Sequence, residues 1–248
     1  MIGMYEGVTP VLLLSDPELI KSVLVKDFAS FTDNYQFHGH RIIRQWVIQS
    51  SGNEWRRTRS IITPTFTSGK MKAMLPLVTN SIAILEQEIR KHVKSKKKKM
   101  DAKHVFTCLT LDVIAKVAFA SDVNAHENED ERFIDVAKNI LKIGKLRYIT
   151  GTLLPTKLKN AVEFSLFKPE HIEFLIKVIQ TMLEQKRKVG HTQNFTDLGQ
   201  LLMEARNDEG EALTEEEIIS NAFLMLIAGF ETTGMTILSI LNQYLINI

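Results

Sequence analysis

The stretch LMLIAGFETTGM, residues 224–235, decides the fold, because it places polar groups inside a long apolar segment. Glu231, Thr232 and Thr233 follow a glycine in the middle of this stretch. Burial of an unpaired carboxylate costs several kcal/mol, and burial of a hydroxyl without a partner costs about 1–3 kcal/mol. These three side chains therefore either face water or have a chemical role.

The sequence around this stretch predicts one long helix over residues 215–247. Thr214 and Glu217 have the spacing of a capping box, and acidic residues at Glu215 and Glu216 suit the first turn of a helix. About 33 residues with a rise of about 1.5 Å each would span about 50 Å, enough to cross a whole domain. We expect a central core helix with protein on most of its sides.

A membrane span is the alternative for this helix, because residues 222–241 have the necessary length. Glu231 at its centre, the neighbouring Ser220 and Asn221, and several threonines count against a span, since such side chains are expensive in lipid. The core helix is the interpretation that we carry forward.

Composition excludes several functional classes. The chain has 248 residues, 44% hydrophobic and 24% charged, so it can bury a core. A net charge of +2 is too small to indicate nucleic-acid binding. Its one cysteine, Cys108, permits neither an internal disulfide nor a CxxC metal site, and the histidines form no HExxH motif. No secretory signal is visible at the start of the chain.

Helical periodicity dominates the chain after a short β-hairpin. Two strands are predicted over residues 5–7 and 11–14, and Asp16 and Pro17 then have the chemistry of a helix start. The predicted helices cover residues 17–25, 53–63, 70–92, 102–120, 131–146, 169–188, 195–206 and 215–247, and Pro64 ends the second of them.

Two segments leave their interpretation open. The run KSKKKK, residues 94–99, is either a solvated loop or a contact with a membrane or an acidic partner. Residues 151–171 mix Leu, Phe and Lys without a clear period. They form either a loop packed on the domain or an amphipathic element that enters a bilayer surface, with the lysines at the headgroups.

Four motifs in order carry a family resemblance. AGFETT, residues 228–233, has the pattern small–Gly–x–acid–Thr–Thr, and NEWRRTR contributes the spacing Trp55-x-x-x-Arg59. PTFTSGKMK follows at 64–72, and DPELIKSVLVKDFASFTD precedes at 16–33. The chain resembles the cytochrome P-450 enzymes, which are haem-thiolate monooxygenases, in the microsomal branch that contains the drug-metabolising three-A type and thromboxane synthase.

The resemblance implies a mostly α, partial cytochrome P-450 fold with a short N-terminal β-hairpin and a long central helix. Residues 1–248 would be an incomplete single domain, the N-terminal half that ends at the oxygen-activation helix. It also implies haem b, O2, NADPH-derived electrons from a flavoprotein reductase, and lipophilic small-molecule substrates. The enzyme would act at a membrane surface, on the cytosolic face of the endoplasmic reticulum, without nucleic acid.

The resemblance assigns roles to residues of the long helix and of the helix at 53–63. Thr232 and Glu231 would deliver protons for catalysis. Thr232 would hydrogen-bond the carbonyl of Ala228, and Gly229 would leave space for O2 beside the haem. A propionate of the haem would be bound by Trp55 and Arg59, whose indole N–H and guanidinium are both donors.

The substrate pocket is implied on one face of the long helix. Leu224, Ala228 and Thr232 recur every four residues, with Ile227 beside them. Plain core packing would produce the same stripe. The segment at 37–51 caps the pocket in the family, which makes Phe37 and Ile48 candidate substrate contacts.

The sequence departs from the family pattern at both ends. It stops at LNQYLINI, without the Glu-x-x-Arg pair or the glycine-rich segment whose cysteine ligates iron, and no N-terminal anchor is visible. Cys108 lies at a helical core position and is not expected to ligate iron, so no metal ligand is predicted in this chain. We expect an inactive fragment of the enzyme. The alternatives are a non-catalytic helical protein that binds a partner or a membrane, and a small integral membrane protein.

Overall fold

The computed structural model describes residues 1–6, 9–33, 39–94, 100–126, 132–154, 158–159, 162, 164–189 and 197–246. Its strands are β1 Ile2–Glu6 and β2 Thr9–Leu13. The helices are α1 Pro17–Lys21, α2 Arg41–Arg44, α3 Gly52–Ile62, α4 Ser68–Ala73, α5 Leu75–Lys94, α6 Ala102–Phe119, α7 Arg132–Ile140, α8 Lys145–Leu153, α9 Pro169–Val189, α10 Leu198–Glu204 and α11 Glu215–Ile246. The prediction of a mostly α chain with one N-terminal hairpin is confirmed.

The N-terminal hairpin leads directly into a capped helix. β1 and β2 pair antiparallel, with Gly3 opposite Leu12. Asp16 then accepts hydrogen bonds at 3.0 Å from the backbone N–H groups of Glu18 and Leu19, which begins α1 as predicted. The chain continues from α1 as a π-helical turn, Ser22–Lys26, and a 3₁₀ turn, Phe28–Ser30.

The core lies where α11 packs against α6, with α9, α10 and α2 around the two helices. Its largest fully buried side chains include Leu111, Leu175, Phe223, Leu226 and Phe230. α6 is apolar on nearly all sides, which is typical of a helix surrounded by protein. The central position of this pair determines what the residues of α11 can contact.

The predicted helix at 70–92 is wrong as a single element, because the structure divides it into α4 and α5 at Met74. Pro76 explains the division: a proline lacks the N–H of a helix interior, and its ring clashes with the carbonyl four residues earlier. The first turn of a helix tolerates it, and α5 begins one residue before it.

The predicted helix at 131–146 ends early, at Ile140 in α7, and a separate helix, α8, follows from Lys145 to Leu153. Gly144 is extended, with φ −66° and ψ 138°, and precedes the first residue of α8. The predicted helix at 195–206 begins later, because the Asp197 side chain accepts the N–H of Gln200 as the N-cap of α10. The short α2 was not predicted.

α11 begins with the predicted capping box. The N–H of Glu217 donates to Thr214 Oγ1 at 3.3 Å, and the N–H of Thr214 donates to Glu217 Oε2 at 2.7 Å. The helix is largely buried from Ile218 to Phe230 and largely exposed beyond it. Protein therefore surrounds only its first half, which differs from the expectation of a core helix along its whole length.

Among the described residues, the segment Glu215–Tyr244 of α11 is the one helix long and apolar enough to cross a membrane. A core helix of a soluble protein passes the same test, so this finding alone does not separate the two interpretations. Ser220 and Asn221 are fully buried within protein, as in a core helix. Residues 95–99 of the lysine run lie outside the described residues.

Candidate functional site

The stretch 228–236 of α11 carries a ladder of hydroxyl–carbonyl hydrogen bonds. Thr232 Oγ1 donates to the carbonyl of Ala228 at 2.5 Å, as predicted, and Thr236 Oγ1 donates to the carbonyl of Thr232 at 2.9 Å. Such bonds from side chain to backbone compete with the helical N–H donors and weaken the helix locally. Ala228 and Thr232 are exposed on the same face, and Leu224 at the start of that face is half-buried.

Glu231 has a buried oxygen atom without a hydrogen-bond partner. Its side chain is half-buried, and Oε2 neither reaches solvent nor receives a hydrogen bond. Within the described ranges no cation forms an ion pair with it, so the salt bridge that would explain a buried glutamate is not found there. An orphaned carboxylate oxygen one residue from the Thr232 hydroxyl fits a group that exchanges a proton with a ligand or with water.

Gly229 and Ile227 point toward protein. A Cβ atom on Gly229 would lie 2.7 Å from Cδ1 of Ile114 in α6, so the glycine permits close approach of the two helices. Ile227 belongs to the core and is nearly inaccessible. Of the three predicted substrate contacts on α11, Leu224 and Ala228 therefore reach the open face, together with Thr232, and Ile227 does not.

Trp55 and Arg59 lie on α3 one helical turn apart, as predicted. The Trp55 ring is half-buried and packs 5.6 Å from the ring of Phe28. Arg59 is exposed, and no carboxylate of the described residues pairs with its guanidinium. An indole N–H and a guanidinium one helical turn apart, the latter without a carboxylate partner among the described residues, fit the anionic edge of a large apolar cofactor.

A second arginine of α3, Arg57, has a different role. Arg57 forms a largely buried ion pair with Glu217 and donates to the carbonyl of Ala212 at 3.1 Å. These contacts tie α3 to the start of α11. They also fix the position of the helix that carries Trp55 and Arg59.

Two polar residues of α11 hold the segment that carries Ile48. Ser220 Oγ donates to the carbonyl of Ile42 at 2.7 Å, and the N–H of Val47 donates to Asn221 Oδ1 at 2.9 Å. Ile48 is half-exposed, whereas Phe37 lies outside the described residues. From the sequence, Ser220 and Asn221 were only arguments against a membrane span, and their function in holding this segment was missed. Polar residues in the buried first turns of an apolar helix need hydrogen-bond partners, and this could have indicated such a function.

Cys108 is fully buried in α6, as expected for a core position. Its Sγ lies 3.7 Å from His104 Nε2 and accepts a hydrogen bond from Lys138 Nζ at 3.4 Å. In the part of the chain that the structure describes, no group of three or more His, Cys, Asp or Glu side chains could hold a metal ion.

The chain is similar in sequence to proteins of one known family. A family model for cytochrome P-450 matches residues 1–247. Cytochrome P-450 3A9 of Rattus norvegicus is 32% identical over 241 residues, which are 94% of this chain and 48% of the rat protein. Lithocholate 6-beta-hydroxylase of Mesocricetus auratus is 31% identical over 250 residues, 97% of this chain and 49% of that protein. Cytochrome P-450 3A5 of Homo sapiens is 30% identical over 243 residues, 94% and 48% of the two chains. The chain spans about half the length of these relatives.

Proposed function

The chain belongs to the cytochrome P-450 family, and from this membership we propose that it forms part of a haem-dependent monooxygenase that inserts one oxygen atom of O2 into lipophilic organic substrates. Residues 1–248 would be the N-terminal half of one domain. The observation that carries the proposal is the pairing, on adjacent residues of α11, of an orphaned Glu231 oxygen with an exposed Thr232 hydroxyl.

Haem b is the cofactor of this proposal, and when bound it supplies the iron chemistry that activates O2 with NADPH-derived electrons from a flavoprotein reductase. Arg59 and Trp55 would donate hydrogen bonds to a propionate at its edge. Ala228 would lie closest to its plane from α11, and Gly229 would contribute only its backbone, because its missing side chain faces Ile114 in α6. The exposure of Ala228 supports this arrangement, as does the lack of a carboxylate partner for Arg59 in the part of the chain that the structure describes.

Proton delivery is the role of Glu231 and Thr232. The Thr232 hydroxyl donates to the Ala228 carbonyl in this structure, and rotation about one side-chain bond would turn it toward the open face. Glu231 can take a proton from water and pass it along the same turn. A carboxyl and a hydroxyl on adjacent residues thus form a short path for protons into an otherwise apolar surface.

Substrate contacts are proposed for Leu224 and Ala228 on α11. Ile48 is proposed as a further contact, because it lies in the segment that caps the pocket in the family. Ile48 and Ala228 are exposed and apolar, as a pocket for a lipophilic molecule requires. Phe37 and Ile227 remain proposed substrate contacts. Phe37 lies outside the described residues, and Ile227 is buried, so it would support the pocket-lining residues from the core.

Membrane association is proposed through α8. Its side chains Leu146, Tyr148, Ile149 and Leu153 are exposed, and Lys142 and Lys145 lie beside them. Apolar residues flanked by lysines suit the interface of a bilayer, where the lysines reach the headgroups. This surface supports a bilayer contact by α8, which overlaps the predicted amphipathic segment 151–171 only at residues 151–153. The cytosolic face of the endoplasmic reticulum is proposed from the family alone.

We expect the isolated chain to be inactive. Haem-thiolate enzymes need a cysteine thiolate on the iron, which requires a cysteine that the haem can reach. Cys108 is inaccessible in the core of α6. In the purified chain loaded with haem, we expect no red-shifted thiolate band after reduction and addition of CO. Such a band, lost in Cys108→Ser, would identify Cys108 as the ligand and contradict this assignment.

The experiment that tests the function supplies the other half of the domain. The chain is co-expressed with the C-terminal half of the rat relative, and the co-purified complex is assayed for haem content and for NADPH-dependent oxygenation of a lipophilic substrate with a flavoprotein reductase. We expect both. A co-purified complex that binds haem without oxygenating any substrate would refute the monooxygenase.

The exposed second half of α11 also favours a second candidate, a small integral membrane protein without catalysis, with this helix as its span. Under this alternative, the chain would resist carbonate extraction from membranes, and the co-purified complex would contain no haem.

A further inference from the structure

The side chain of Thr110 reaches across from α6 to the backbone of α11. Thr110 is buried, with 4% of its surface exposed, and its Oγ1 donates to the carbonyl of Phe230 at 2.7 Å. Carbonyls of its own helix lie farther away, at 3.0 Å in Phe106 and 3.2 Å in Thr107. A hydroxyl carries one hydrogen, so the shortest of the three contacts is the one between the helices.

Two glycines of α11 make this contact possible. A Cβ atom on Gly234 would lie 3.1 Å from Thr110 Oγ1, and one on Gly229 would lie 2.7 Å from Cδ1 of Ile114. Both missing side chains therefore point at α6. The two helices are therefore in close contact on either side of Glu231 and Thr232.

Hydroxyl groups engage three alternate carbonyls of this turn. Thr232 bonds the carbonyl of Ala228, Thr110 bonds that of Phe230, and Thr236 bonds that of Thr232. Two of these hydroxyls belong to exposed residues of α11 itself, and only the one from Thr110 comes from the buried side. A backbone carbonyl has two lone pairs, so the Phe230 carbonyl can accept the Thr110 hydroxyl alongside its helical N–H donor.

We infer that Thr110 is a positioning residue for the catalytic turn: its hydroxyl anchors the Phe230 carbonyl to α6, so that the backbone of Glu231 and Thr232 opens only on the exposed side. This inference rests on the proposed function, which it deepens. Thr110 touches neither substrate nor cofactor and acts through the Phe230 carbonyl. Without this hydrogen bond, the backbone of the turn would no longer be held against α6, and the Thr232 hydroxyl would no longer have a defined position.

The first test is hydrogen exchange of backbone amides in the purified chain. Thr110→Val keeps the side-chain shape and removes the hydroxyl. We expect exchange at residues 230–236 to become about tenfold faster, as loss of one buried hydrogen bond predicts. Thr110→Ser retains the hydroxyl and should restore the wild-type rate.

Thr65→Val is the matched control. Thr65 is 1% exposed and donates to a carbonyl at the same distance, 2.7 Å, but that carbonyl belongs to Ile62 in its own segment. This variant should leave exchange at residues 230–236 unchanged. Equal effects of Thr65→Val and Thr110→Val on those amides would overturn the inference, because general loosening of the core would then explain both.

A second measurement separates the inference from the proposed function. In the co-purified complex with haem, Thr110→Val should raise the fraction of NADPH electrons that end in hydrogen peroxide, and Thr110→Ser should not. Faster local exchange with unchanged peroxide release would make Thr110 purely structural and refute its positioning role. If the wild-type complex shows no oxygenation, the proposed function fails, and the exchange data still decide whether Thr110 anchors the turn.

Discussion

At the scale of single residues, the Thr232 hydroxyl has the most specific expected effect. In the co-purified complex, Thr232→Ala should slow product formation about 100-fold, because a positioned proton donor contributes at least that factor. NADPH consumption should continue, with the electrons released as hydrogen peroxide. Product and peroxide are measured per NADPH oxidised.

Thr236→Ala is the control for this substitution. Thr236 is also exposed and also donates to the carbonyl four residues earlier, one turn further along α11. Its loss should leave coupling intact. Equal uncoupling in both variants would show that any hydroxyl–carbonyl bond in this helix matters, and not proton delivery by Thr232.

Arg59 is expected to contribute to haem affinity. Arg59→Ala removes a charge-assisted hydrogen bond worth about 1.5–3 kcal/mol, so haem should bind about tenfold to 100-fold more weakly. Absorbance titration of the co-purified complex measures this affinity. Arg56→Ala, at another exposed arginine of the same helix, should change it little. Matching losses in the two variants would indicate a general effect of positive charge on α3.

Ionisation of Asp112 makes the free energy of unfolding depend on pH. Its carboxylate is buried and accepts the N–H of Ala125 at 2.8 Å. Burial raises the pKa of Asp112 above its usual 3.8, outweighing the Ala125 N–H and the charges of His126 and Lys116, while Asp122 raises it further. A carboxyl with a raised pKa in the folded state stabilises the fold when protonated, and that stability is lost as pH rises through the folded-state pKa.

Asp112→Asn should therefore reduce the loss of stability above about pH 4. The amide oxygen can still accept the Ala125 N–H, and nothing remains to ionise. Denaturant melts from pH 4 to pH 7 should show the variant gaining stability relative to wild type as pH rises. A difference that is constant or shrinks with pH would contradict the assignment.

At the scale of elements, the close packing of α6 and α11 depends on Gly229. Gly229→Ala would force a Cβ atom against Ile114 and should cost about 1–3 kcal/mol of unfolding free energy. Ile114→Ala in the same chain frees that space, so the double variant should lose less than the sum of the two single variants. Thermal or denaturant unfolding measures all three. Additive losses would show that the two residues do not compete for space.

Element boundaries were predictable where a side chain acts on its own backbone. Asp16 and the pair Thr214 and Glu217 cap their helices as expected, because capping needs only residues within three positions. Pro76 was an equally local signal for the division of the helix at 70–92, and it was overlooked. α2 could not be expected, because its position depends on a hydrogen bond donated by Ser220 to Ile42 and on one that Asn221 accepts from Val47, far along the chain.

At the scale of the whole molecule, the exposed second half of α11 should make the isolated chain self-associate. Ile240, Leu241 and Tyr244 are exposed there on neighbouring turns. Contiguous apolar surface of this kind promotes association. Light scattering after size exclusion should show oligomers that increase with concentration, and Ile240→Glu should reduce them.

Ile82→Glu on α5 is the control, because Ile82 and Ile240 are each 49% exposed. This substitution adds the same charge to a different surface and should leave association unchanged. A reduction of the same size in both variants would show that net charge, and not the face of α11, governs association.

The sequence by itself determined the fold class, the long helix with its capped start and the pairing of Glu231 with Thr232, because these depend on residues close together in the chain. Only the tertiary structure decided which way each residue faces. It turned Gly229 and Ile227 toward α6 and the core, since the packing of two helices selects the buried side from a helix that is apolar nearly all round. Likewise, the bond from Thr110 to Phe230 joins residues 120 positions apart, and no local pattern specifies such a contact.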